Sequence, residues 1–149
     1  MNDPEGLLDT STLLLLSRIT DPSVLPDVPL ISAITLAELS VGPLVTDDDA
    51  ERARRLAQVQ QAEADFEPIP FDAAAARAFG VVASSLRRSG RKPSARALDA
   101  LIAATAIANG LPLYTCNRGD FTGIDELTVR VVSVPGGRRR HQAGLPRQR

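Results

Sequence analysis

The run from Ala97 to Asn109, A-L-D-A-L-I-A-A-T-A-I-A-N, constrains this chain more than any other stretch. It is rich in Ala and Leu and free of Gly and Pro, so it reads as a helix. It is apolar on nearly every face, so that helix belongs inside the fold. Asp99 is the single charge within it. A carboxylate buried without a partner costs several kcal/mol or takes up a proton. A cation, a set of donors or a metal ion must therefore meet Asp99.

The remaining segments arrange themselves before and after this helix. Gly6 to Leu8 reads as a short buried strand ending at Asp9, and Thr10 to Thr12 lead into a helix through Leu13–Ile19. Asp9 is the only charge between Gly6 and Ser17; a plain helix N-cap at Asp9 or Ser11 would account for it. Asp21 to Pro29 carries three prolines and reads as a loop, with a second short strand at Leu30–Ser32. A helix opens at Thr35–Leu39 and ends near Gly42-Pro43. Glu38 is the only charge from Leu30 to Thr46, and Thr35-x-x-Glu38 also fits a capping box. Asp47 to Asp65 reads as an exposed helix with Leu56 and Val59 inward, and Phe66 to Phe71 as a short strand or connector. Asp72 caps a helix from Ala73 through Leu86. Arg87, Arg88, Arg91 and Lys92 follow around Gly90 and Pro93, and Ser94 is placed to cap the helix of Asp99. Gly110 stops that helix. A strand at Leu111–Thr115, a turn at Cys116–Phe121 and a strand at Thr128–Val134 complete the pattern.

Strands alternating with helices predict an α/β fold with a parallel sheet covered on both faces. Right-handed crossovers bring the strand C-termini to one edge, where such sheets bind ligands. Asp9 and Asp120 follow strands at that edge; Glu38 and Asp99 lie near helix starts that open there. Four converging carboxylates repel one another. The basic residues fall in loops, in the polar helix and in the tail, so none is expected to pair with them. A hard divalent cation, Mg²⁺ or Mn²⁺, resolves the conflict.

Composition removes the rival chemistries. Cys116 is the only cysteine and His141 the only histidine, which excludes an intramolecular disulfide, a Ser-His-Asp triad, a Cys-His pair and a His-ligated zinc site. A phosphoacceptor receiver domain is rejected as well, because Asp9 stands alone at the first strand and Lys92, the only lysine, lies in a loop. The net charge of −1 hides an asymmetry: without the tail arginines 138, 139, 140, 147 and 149, 12 basic residues face 18 acidic ones, a net of −6. Nucleic-acid affinity must then come from local patches. Arg87, Arg88, Arg91, Lys92 and Arg96, just before Asp99, form one candidate backbone clamp; a solvated loop is the plainer reading. No basic n-region precedes an apolar stretch and no run spans a bilayer, so a soluble cytoplasmic protein without membrane contact is expected.

Four blocks carry a family resemblance. Leu7–Ser11 (L-L-D-T-S), Thr35–Leu39 (T-L-A-E-L), Leu98–Ala106 (L-D-A-L-I-A-A-T-A) and Leu113–Phe121 (L-Y-T-C-N-R-G-D-F) resemble, in order and spacing, the motif blocks of PIN domains, above all VapC toxins of type II toxin–antitoxin pairs. The resemblance implies a PIN-like three-layer fold with a short central parallel sheet in residues 1–134, and leaves 135–149 as a basic tail expected to be disordered. It implies a Mg²⁺-dependent endoribonuclease whose acidic metal site is Asp9, Glu38, Asp99 and Asp120, supported by Ser11, Thr115 and Asn117. It further implies an RNA substrate, a VapB-like antitoxin docking near the helix pair from Thr35 to Asp65, and a homodimer. A housekeeping RNA-processing PIN nuclease and a catalytically silent PIN-like binding module are the competing readings. Cys116 stands where the family often carries Arg, and the Arg-rich tail lies outside the family pattern.

Overall fold

The computed structural model describes residues 2–135; the tail from residue 136 onward, expected above to be disordered, lies outside them. Strands β1 (Glu5–Leu8), β2 (Val28–Leu30), β3 (Leu113–Thr115) and β4 (Val129–Val131) form one parallel sheet in the order β2-β1-β3-β4. Leu7 stands opposite both Leu30 and Leu113, and Leu8 opposite Tyr114. Side chains alternate across a strand, and the core divides accordingly. Leu7 and Leu113 face the layer made by α4 (Ala73–Arg88) and α5 (Ala97–Ala108), with Val82, Leu86, Ile102 and Ala103 buried against them. Leu8 and Tyr114 face the other layer, α1 (Thr10–Leu14), α2 (Ala33–Val41) and α3 (Asp49–Asp65), with Leu39 and Ala62. This is the three-layer α/β arrangement expected.

Several boundaries differ from expectation. β2 runs over Val28–Leu30 rather than Leu30–Ser32 and contains Pro29, which an edge strand tolerates because it needs fewer ladder bonds. Ser32 instead makes a single bridge to Ile69 and caps α2. The first helix ends at Leu14, and a 3₁₀ turn over Leu16–Arg18 follows. Leu56 is 47% exposed. Arg55, one residue earlier, takes the inner position, where its guanidinium donates to the Gly42 carbonyl at 2.9 Å, and Val59 and Ala62 continue that face. Ser94 does not cap α5; a 3₁₀ turn over Pro93–Arg96 leads into it without a side-chain cap.

The connections from β1 to β2 and from β2 to β3 place those two strands on opposite sides of β1. The chain thus reverses its winding between β1 and β3. In open parallel sheets the crevice at the C-terminal ends of such a strand pair is where ligands bind.

Candidate active site

Asp9 ends β1 at that crevice and is 3% exposed. It caps α1, so the plain reading of this residue holds alongside the functional one: Oδ1 accepts the Thr12 amide at 2.9 Å and the Ser11 hydroxyl at 3.0 Å. From the end of β3, Thr115 Oγ1 donates to Asp9 Oδ2 at 2.6 Å and accepts the Asn117 amide at 3.0 Å. Two neighbouring strand ends therefore lock one carboxylate in place.

Glu38 does not close a capping box. Ser32 is the N-cap of α2, taking the Thr35 amide at 3.1 Å, so Glu38 lies beyond the reach of that helix's start. Thr10 Oγ1 donates to Glu38 Oε1 instead, and stands 3.0 Å from Thr35 Oγ1. These hydroxyls tie α1 to α2 and hold Glu38 at the site.

Asp99 occupies the first turn of α5 with its side chain 28% exposed. Among the described residues no hydrogen-bond donor meets its carboxylate, and Arg96 Nη1 stays 3.7 Å from Oδ2. Burial above all, then the negative charges of Asp120 and Glu38 and more weakly Asp9, push its carboxyl up to about 6 against the opposing pull of Arg96. Asp120 lies in the 3₁₀ turn Arg118–Phe121, accepts Asn117 Nδ2 at 3.2 Å, and is ion-paired with Arg96. The expectation that no arginine answers these carboxylates is corrected here: Arg96 answers Asp120, because the turn over Pro93–Arg96 directs it into the crevice.

Four carboxylates from four segments thus share one electrostatic neighbourhood. Among the described residues no three Asp, Glu, Cys or His side chains stand close enough to share a single ion. The donor set fits Mg²⁺ in another way. This ion keeps several waters and needs only one or two carboxylates, and the half-buried Asp99, crowded by like charges, has no hydrogen-bond donor among the described residues and Arg96 no nearer than 3.7 Å.

Residues 7–127 match the PIN domain family model. Ribonuclease VapC5 of Mycobacterium tuberculosis is 38% identical over 132 residues, spanning 87% of this chain and 95% of that protein. The chain is a PIN domain of the VapC family. Ribonuclease VapC4 of the same organism is 33% identical over 68% of this chain and 75% of its own. Among solved structures, VapBC-5 of M. tuberculosis, described as a member of the VapBC family of toxin–antitoxin systems, superposes with a TM-score of 0.74 at 36% identity, over 88% of this chain and 99% of that one.

One site residue of this PIN domain, Thr10, was not singled out from the sequence, although the run of three hydroxyls behind Asp9 marks it. Arg96, read from the sequence as part of the clamp, stands instead beside Asp120 and Asp99, the latter a partner its i,i+3 spacing allows. The candidate clamp divides, with Arg91, Lys92 and Arg96 around one cavity and Arg87 and Arg88 outside its lining. Arg88 is committed to Asp125 at 2.8 Å and to Ser84 and Ser85, and Arg96 turns toward the carboxylates. Arg91 and Lys92 border a cavity beside Asp120, and Arg87 is exposed. Cys116 packs with the α1–α3 layer beside Thr12 Oγ1, and burial raises its thiol pKa. No described helix is long and apolar enough to cross a membrane.

Proposed function

We propose that this PIN domain is the toxin of a type II toxin–antitoxin pair, an endoribonuclease that hydrolyses RNA phosphodiester bonds with Mg²⁺, for which Mn²⁺ substitutes. The carrying observation is the crevice between β1 and β3, where Asp9 is held rigid by Thr12, Ser11 and Thr115 while Asp99 on α5 shares its electrostatic neighbourhood, without a hydrogen-bond donor among the described residues and with Arg96 no nearer than 3.7 Å. Asp9 and Asp99 would hold the ion, with Glu38 and Asp120 joining directly or through water. When bound, a divalent ion lowers the pKa of a water and neutralises charge building on the phosphate. Thr115 and Ser11 keep the Asp9 oxygens aimed, and Asn117 orients Asp120. Glu38, of which Thr10 engages only Oε1 among the described contacts, or Asp120 would take the proton of the attacking water.

The two relatives are named as ribonucleases and the solved neighbour as a toxin–antitoxin assembly, which supports RNA as substrate and a VapB-like antitoxin as partner. An apolar groove of about 350 Å³ between α1, α2 and α3, lined by Leu13, Leu16, Leu39, Ala62 and Phe66, suits an antitoxin segment. Val41, Leu44 and Val45, 53%, 83% and 68% exposed, suit contact with a second copy.

The test is cleavage of structured RNAs by purified protein with Mg²⁺ or Mn²⁺ and with chelator. Ion-dependent cleavage, lost in Asp99→Asn, is expected. A folded wild type that leaves every RNA intact would make the chain a silent binding module. Growth arrest on expression, reversed by a neighbouring gene product, separates toxin from housekeeping nuclease.

A further inference from the structure

We infer that the cavity of about 210 Å³ beside Asp120 is the seat of one nucleotide unit of the RNA, next to the bond that is cut. This rests on the ribonuclease reading and adds to it a subsite with defined chemistry. The cavity's floor is apolar, made by Leu86, Ala100 and Ile124, and its rim carries Arg91, Lys92 and Arg96. Leu86 and Ala100 are buried core residues, 5% and 1% exposed, so the floor is part of the rigid framework. An apolar face under a cationic rim matches a base and its phosphate, the base lying on the floor and the phosphate meeting the guanidinium and ammonium groups.

The rim is built rather than incidental. α4 ends in a Schellman motif: Gly90, at φ +84°, donates to the Arg87 carbonyl at 3.0 Å, and Arg91 to the Leu86 carbonyl at 2.8 Å. Arg91 is thereby held over Leu86. Across from it Gly123 packs so tightly on Ser89 and Arg91 that an added Cβ would lie 2.6 Å from Ser89 Oγ. The Arg88–Asp125 pair and the Asp125 amide on Ser85 Oγ fasten the same loop to α4. Asp120 belongs to both the cavity lining and the acidic crevice, so a nucleotide here continues directly into the cutting site. The cavity is smaller than the roughly 300–1,000 Å³ of sites that enclose drug-sized ligands, so it seats part of one nucleotide and leaves the rest in solvent. Arg96 borders the cavity while paired with Asp120; an arriving phosphate competes for the same guanidinium.

The experiment is a metal-free titration, in chelator, of isotope-labelled full-length protein with 5′-AMP, 5′-UMP and inorganic phosphate, followed by amide chemical shifts. Because neither metal nor turnover is required, its outcome is independent of whether the protein cuts RNA. Nucleoside monophosphates should shift the amides of Arg91, Ala100 and Ile124 and bind at least fivefold tighter than phosphate. Arg91→Ala with Lys92→Ala should weaken that binding at least tenfold while the rest of the spectrum stays in place. Equal affinity for phosphate and nucleotide would remove the base from the floor. Shifts confined to other surfaces, or none, would overturn the subsite.

Discussion

Asp99 is the residue whose removal separates function from stability. Its carboxyl is raised from 3.8 to about 6 by burial and like charges, so the folded metal-free protein binds more protons than the unfolded chain between those values. Stability without metal should therefore fall as pH rises from about 4 to about 6 and level off above. Asp99→Asn should raise the metal-free melting temperature at pH 7 by several degrees, about 1–2 kcal/mol after allowance for the side chain's remaining exposure, while RNA cleavage falls at least ~100-fold. Calorimetry in chelator and a cleavage assay check the two halves. The proton must leave before an ion binds, so Mn²⁺ affinity read by electron paramagnetic resonance should climb through pH 6 and plateau. Thr115→Val removes the hydroxyl on Asp9 Oδ2 and should cost about 1.5–3 kcal/mol in chemical denaturation and roughly tenfold or more in ion affinity.

At the scale of elements, the crevice depends on how closely β1 and β3 approach. Gly6 lies under the Tyr114 ring: a Cβ there would sit 2.5 Å from Tyr114 Cε1 and 3.0 Å from Pro26 Cβ. Gly6→Ala should destabilise by about 1–3 kcal/mol through overpacking, shown by an earlier urea midpoint with the slope unchanged. Ser32 carries comparable weight for α2, because its hydroxyl takes the Thr35 amide in a fully buried setting. Ser32→Ala should cost about 1–2 kcal/mol and loosen Glu38 along with its helix. Helix existence was legible from periodicity, and the Asp72 cap of α4 was read directly. Helix starts were less so. α2 begins before Thr35, as Ser32 is drawn in by its bridge to Ile69, and α5 is entered through a proline-led 3₁₀ turn that no local cap signal marks.

For the molecule as a whole, the sheet order brings segments distant in the chain to one edge and leaves apolar surface on the α1–α3 layer. Leu44→Glu with Val45→Glu, both in exposed positions, should move the sedimentation coefficient from that of a dimer to that of a monomer without altering the far-ultraviolet spectrum. The sequence alone determined the fold class and the four carboxylates worth watching, because a lone charge in an apolar segment and an alternation of strand with helix are local patterns that survive without coordinates. Only the tertiary structure decided what answers each carboxylate: Thr115 for Asp9 across 106 residues, Thr10 for Glu38 across 28, Arg96 for Asp120 across 24. Such pairings follow from strand order and from the direction of a single turn before α5, and these are set by packing of the two layers against the sheet rather than by any residue's immediate neighbours.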